Sequence, residues 1–90
     1  MTLNTQAFEL QTAAGRVHLG NREYQIIELL MRGRGQRITA EEIVRRIWGE
    51  ENAGSKLIWV HISVLRGKLA QIEARAKILT YRGQGYALEI

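Results

Sequence analysis

The stretch after Ser55 sets the tightest constraint on the fold. Ile58, Ile62, Leu65 and Leu69 recur at the spacing of one buried helical face, which predicts a helix over about residues 55–71. Two strand-like runs follow, Lys77 to Tyr81 and Tyr86 to Ile90, around the glycine-rich turn Arg82-Gly83-Gln84-Gly85. A helix with one apolar face, leading into a hairpin, has to bury that face against the rest of the chain. The 90 residues contain no cysteine, so no disulfide framework, thiolate metal site or thiol nucleophile is available. A domain of this size hides only about 60% of its unfolded surface, so the core has to be economical.

The preceding residues divide into elements that could supply it. Phe8, Leu10 and Thr12 form one alternating set and Val17 and Leu19 another, separated by the small-residue turn Ala13-Ala14-Gly15. Thr2 to Thr5 has room for a further short strand, giving a small antiparallel meander. Gly20-Asn21-Arg22-Glu23 opens a first helix, with Glu23 placed to reach back to the cap and Tyr24, Ile26, Ile27, Leu30 and Met31 on the apolar side. That helix should stop in Arg32-Gly33-Arg34-Gly35, where glycine can turn left-handed. Gln36-Arg37-Ile38 suits one short strand. Thr39-Ala40-Glu41-Glu42 then reads as a capping box for a second helix, with Ile43, Val44, Ile47 and Trp48 as its core stripe and Gly49 as its end. After the loop Glu50 to Gly54, Ser55 can cap the third helix. The order is strands, helix, short strand, helix, helix and hairpin. It predicts an α+β winged helix-turn-helix, read as one unit over residues 1–90.

Charge narrows the function. Residues 1–54 hold seven Arg and seven Glu, whereas residues 55–90 hold Lys56, Arg66, Lys68, Arg75, Lys77 and Arg82 against Glu73 and Glu89. The whole net charge of +4 therefore falls in the last 36 residues, which points to a polyanion. Nucleic acid fits better than membrane, because no strongly basic amphipathic helix and no apolar run of spanning length is present. No secretory signal pattern stands at the amino terminus, and a cytoplasmic place is the expectation.

Enzymatic constellations do not survive inspection. All nine acids are Glu, so aspartate chemistry is unavailable. Gly83-Gln84-Gly85 lies inside a hairpin, not between a strand and a helix, so it is no phosphate-cradling loop. His61 and Ser63 are two apart on a helix and do not face each other. His18 and His61 lack metal-ligand spacing. Neither an enzymatic activity nor a cofactor is expected.

Four motifs resemble, in order, those of the OmpR/PhoB-type winged-helix domains, the DNA-binding effector domains of response regulators. Leu19 to Ile27 is similar to the opening of their first helix, and Ile47-Trp48-Gly49 to the close of their second. Ile58 to Leu69 resembles their recognition helix, and Thr80-Tyr81-Arg82-Gly83-Gln84-Gly85-Tyr86 resembles their wing. The resemblance implies a third helix in a major groove and a wing, about residues 80–86, in the neighbouring minor groove. It further implies double-stranded DNA as partner, transcription regulation as role and paired docking on repeated half-sites. Several features depart from the family. The N-terminal sheet has room for two or three strands in place of four. The loop before the third helix, which in the family contacts RNA polymerase, is short. Trp59 stands where Asp is usual, and Ser63 and Val64 stand where Arg often reads bases. No receiver domain lies within these residues.

On a helix turning 100° per residue, the side opposite the apolar face is centred on Lys56, Val60, Ser63, Val64 and Gly67, flanked by Trp59 and His61. If this helix is the reader, Trp59, Val60, Ser63 and Val64 meet base edges. The valine methyls suit a thymine methyl, and Ser63 suits either partner of a base pair. Lys56, His61, Arg66, Gly67, Lys68 and Thr80 would then lie along the DNA backbone, and Arg82 would enter the minor groove. The alternative is a protein-interaction module in which Trp59, Val60 and Val64 dock on RNA polymerase or another regulator.

Overall fold

The computed structural model describes residues 1–49 and 57–90. Strands β1 (Thr2–Asn4), β2 (Glu9–Thr12) and β3 (Gly15–His18) form an antiparallel sheet in that order. Leu10 pairs with Leu3 on one side and Val17 on the other, which sets three apolar side chains abreast on one face. The turn between β1 and β2 is made by Asn4, whose Oδ1 accepts from the amides of Gln6 at 3.0 Å and Ala7 at 2.9 Å. Phe8 leaves the expected alternation. It takes a left-handed φ of 54° ahead of β2, and its ring stacks on Tyr24 with centroids 4.3 Å apart.

Helix α1 (Asn21–Arg32) starts as the sequence suggests, with the Glu23 carboxylate accepting from the Gly20 amide at 2.9 Å. It stops in the expected segment, where Gly33 is right-handed and the left-handed positions are Arg34 (φ 49°) and Gly35 (φ 88°). Gly33 is constrained by space instead, since a Cβ there would lie 3.3 Å from the Leu30 carbonyl oxygen and 3.4 Å from Ile38 Cδ1. The short strand expected over residues 36–38 contracts to one bridge. The amide of Ile38 donates to Tyr86 at 2.8 Å, and that of Tyr86 donates back at 2.9 Å.

Helix α2 (Ala40–Trp48) is capped by Thr39, whose hydroxyl accepts from the Glu42 amide at 3.1 Å. The carboxylate of Glu42 does not complete the box, because its oxygens take Arg45 at 3.0 Å and Arg46 at 2.7 Å. These pairs are exposed and screened by solvent, so they contribute little to stability. Ile43 and Val44 are buried, whereas Ile47 and Trp48 are half-buried. Gly49, at φ 95°, ends the helix.

The expected loop Glu50 to Gly54, the Ser55 cap and Lys56 lie outside the described residues. Helix α3 (Leu57–Gln71) buries Ile58, Ile62, Leu65 and Leu69, as their spacing requires. Strands β4 (Lys77–Tyr81) and β5 (Gly85–Glu89) then form the hairpin, with Thr80 opposite Tyr86 and Tyr81 opposite Gly85. One core runs through all of this, joining Leu10 and Leu19 to Ile26, Ile27 and Leu30 of α1, Ile43 and Val44 of α2, the α3 face, Ile78 and Leu88. The sheet is also tied to the end of α3, where the Thr12 hydroxyl donates to the Ile72 carbonyl at 2.5 Å. The outer face of α3 and the hairpin turn are left facing outward.

Candidate nucleic-acid interface

Burying four residues at helical spacing turns the opposite side of α3 to solvent. Trp59, Val60, Ser63, Val64 and Gly67 are all exposed, with Trp59 at 57%, Val60 at 43% and Val64 at 41%. They lie three or four positions apart, so they form one strip along a helix roughly 22 Å long. Gly67 is notable for what it does not touch. A Cβ built there meets nothing within 4 Å, so no contact inside the protein requires glycine, although glycine in a helix interior costs about 1 kcal/mol relative to alanine.

The cations expected along the DNA backbone are more occupied than their sequence positions suggest. Arg66 donates through Nε at 3.0 Å and Nη2 at 2.8 Å to the Ile78 carbonyl, and through Nη2 to the Thr80 hydroxyl at 2.6 Å. It is thereby a strut from α3 to β4. Lys68 donates to the His18 carbonyl at 2.8 Å and pairs with the Glu23 carboxylate. His61 is half-buried with its ring 5.3 Å from that of Trp48, and Arg22 lies over the same indole at 5.3 Å. Lys77 begins β4, some five residues and roughly 16 Å along the strand from Arg82. Arg66 and Lys68 thus each spend part of their donor capacity inside the protein.

The pair Glu23–Lys68 joins α1 to α3 and has a titratable consequence. Burial works to raise the Glu23 carboxyl, but hydrogen bonds from Lys68 and the Gly20 amide, with the Lys68 charge, outweigh it and hold it below the ordinary glutamate value. A carboxylate depressed in the folded state contributes stability above its unfolded value near 4.3, and that contribution is lost as pH falls through the folded value. Glu23→Gln should cost about 1–2 kcal/mol near neutral pH. The gap to the parent should close in urea titrations carried down to about pH 2. An equal gap at both ends of that range would mean the ion pair contributes nothing.

At the wing, Arg82 is exposed at the hairpin turn, which is closed by the Gln84 amide donating to the Tyr81 carbonyl at 2.7 Å. A second guanidinium stands beside it. Arg37, from the segment preceding α2, lies 4.3 Å from the centroid of the Tyr81 ring and donates to the Gln84 side chain. Sequence reasoning missed this residue. Arg37 belongs to the half of the chain with no net charge, and a pairing across more than forty residues leaves no periodic signal. Only the bridge at Ile38 brings it to the hairpin.

Three helices with an N-terminal meander, a C-terminal hairpin and an exposed third-helix face define a winged helix-turn-helix. Residues 14–88 match the model of the family described as "Transcriptional regulatory protein, C terminal". The chain belongs to that family, the OmpR/PhoB-type DNA-binding domains of transcription regulators, which is a regulatory and not an enzymatic family. It is 38% identical over 90 residues to the heme response regulator HssR of Staphylococcus aureus (strain JH9), covering 99% of this chain and 40% of that protein. Against the transcriptional regulatory protein DltR of Streptococcus agalactiae serotype III (strain NEM316) the identity is 36% over 88 residues, covering 97% and 39%. The chain thus spans about two fifths of the length of these curated relatives. In fold it is similar to the DNA-binding domain of Bacillus subtilis CssR, with a TM-score of 0.83 at 22% identity over 98% of both chains. The AdeR DNA-binding domain in complex with an intercistronic region is also similar, with a TM-score of 0.75 at 23% identity over 98% of this chain and 92% of that one. Among the described residues no helix is long and apolar enough to cross a membrane, and no group of His, Cys, Asp or Glu could hold a metal ion.

Proposed function

We propose that this chain binds double-stranded DNA sequence-specifically to regulate transcription, with α3 in a major groove and the β4–β5 turn in the adjacent minor groove. One observation carries the reading beyond family membership. The exposed strip of α3 is fastened to the wing through the Arg66 bonds to Ile78 and Thr80, so helix and hairpin meet a duplex as one rigid body. Trp59, Val60, Ser63 and Val64 read base edges, the valines against thymine methyls. The open space over Gly67 admits the DNA backbone closely. Lys56, His61, Arg66, Lys68 and Thr80 serve phosphates. Arg66 and Lys68 hold N–H donors in reserve for this, since a guanidinium carries five and an ammonium three. Arg82 enters the minor groove. Docking is as a symmetric or head-to-tail pair on repeated half-sites, in the cytoplasm.

The exposure of Trp59, Val60 and Val64 favours a second reading, in which this face docks on RNA polymerase or another regulator. Selection of bound sequences from a random duplex library, followed by binding across a salt series, separates the two. A DNA binder should lose roughly 0.9 log units of affinity per phosphate per log unit of salt. Arg82→Ala should weaken binding to every sequence, most on A/T-rich flanks where the groove is narrow. Ser63→Ala and Val64→Ala should spare non-specific binding and shift base preference by about 1–3 kcal/mol at one or two positions. Lys56→Ala should lower affinity without altering preference. A flat salt response, with Trp59→Ala abolishing capture of a protein partner, would replace the first reading by the second.

A further inference from the structure

We propose that Arg37 is a positioning residue of the wing. It holds the Arg82–Gln84 turn in its DNA-binding orientation through Tyr81 and Gln84, without itself touching DNA. The inference rests on the DNA-binding reading above. Three observations place Arg37 in this role. Its guanidinium covers the Tyr81 ring at 4.3 Å and its Nη1 donates to the Gln84 side chain, so it grips the residues immediately outside and inside the turn that carries Arg82. The next residue, Ile38, is fixed to β5 by the reciprocal bonds to Tyr86, so the grip starts from an anchored backbone. The tip offers little support of its own. Gly83 and Gln84 are exposed, and a Cβ at Gly83 would meet nothing within 4 Å, so packing does not set the orientation of the turn.

Arg66 fixes the middle of β4 to α3, and Arg37 fixes its far end to the segment entering α2. With both in place, Arg82 needs to lose little freedom when it enters a groove. Removing Arg37 leaves the charge of Arg82 intact but returns that freedom, and affinity falls by the entropy of reordering the turn. One N–H and one face of the Arg37 guanidinium are committed to wing residues, and the salt slope below separates this holding role from a direct phosphate contact.

The test is a double-mutant cycle on the duplex selected from the library, with A/T-rich flanks, across a salt series. Arg37→Ala should lower affinity about fivefold or more while leaving the salt slope within experimental error of the parent's. Gln84→Ala, which removes no charge, should also lower affinity. In an Arg82→Ala background the Arg37→Ala effect should largely vanish, because there is no longer a side chain to position. Arg37 is exposed, so the variants should remain folded; their denaturation curves establish that each measurement is made on native protein. A salt slope flattened by about 0.9 would mean a direct phosphate contact and overturn the proposal. So would additive losses in the double variant, an Arg82→Ala variant that binds like the parent, or a Gln84→Ala variant that does. In those cases the parent still binds its duplex and DNA reading stands. A parent that retains no duplex even at low salt sinks the DNA-binding reading, and this inference with it.

Discussion

Gly85→Ala is expected to cost about 2–6 kcal/mol, the sum of a strained backbone and a forced steric contact. Gly85 has a φ of 104°, and a Cβ built there would sit 2.0 Å from the Ile38 carbonyl oxygen and 2.6 Å from Thr39 Cα. Both neighbours are backbone, held by the Ile38–Tyr86 bridge and by the Thr39 cap of α2. Neither can swing aside as a side-chain tip would. The hairpin must move off the start of α2, which breaks the bridge and carries the wing with it. Since small domains are stable by only about 5–15 kcal/mol, the loss could take most of the margin. Gly83→Ala is the control. Gly83 is also left-handed, at φ 74°, but an added Cβ meets open space, so only the conformational strain of about 1–2 kcal/mol applies. Urea denaturation of both variants decides the matter. Equal losses would mean that strain alone, and not the close approach to Ile38, makes glycine necessary at residue 85.

That contrast marks where the sequence stops being legible. Gly83 and Gly85 read alike as turn residues, and nothing in the string Arg82-Gly83-Gln84-Gly85 separates the glycine that needs only a conformation from the one that also needs space. Periodic features were readable because they repeat locally. The α3 face and the glutamate reaching back to Gly20 follow from spacings of three or four residues, whereas the second hairpin strand, expected from Tyr86 to Ile90, runs from Gly85 to Glu89 because Gly85 pairs with Tyr81. What such spacings leave out is set by packing and pairing in space. Within the stop Arg32-Gly33-Arg34-Gly35 the left-handed glycine is Gly35, whereas Gly33 is right-handed and crowded by Ile38 and the Leu30 carbonyl, a distinction that no local spacing encodes. Residues 36–38 had strand composition, but only Ile38 finds a pairing partner. Trp48 packs against the core as its stripe predicts, but its half-buried ring also meets Arg22 and His61, contacts that no helical period encodes. Charge suffered the same way. Segment totals placed all the excess in residues 55–90, whereas in space Arg66 and Lys68 are bound within the protein and Arg37 joins the wing from the neutral half.

Leu65→Ala should show whether the inward and outward faces of α3 are assigned correctly, and with them the whole candidate interface. Leu65 is fully buried, at 0% exposure, in the core that joins α3 to α1 and α2. Truncating it removes the transfer energy of the lost carbons and leaves a cavity that the close-packed surroundings refill only in part, at a cost of about 2–5 kcal/mol. The adjacent Val64, 41% exposed, is the internal comparison. One residue along a helix is a rotation of 100°, so a slip of a single position would exchange their roles. Val64→Ala should therefore stay within about 0.5 kcal/mol of the parent in denaturant. Its consequence should fall on binding instead. A Leu65→Ala loss below about 1 kcal/mol, or a Val64→Ala loss comparable to that of a core residue, would put the wrong face inward. Val60, Ser63 and Gly67 would then turn inward with Val64, and α3 would have no strip left to offer a duplex. Stability measurements alone, made with no DNA present, can thus refute the proposed interface before a binding site is known.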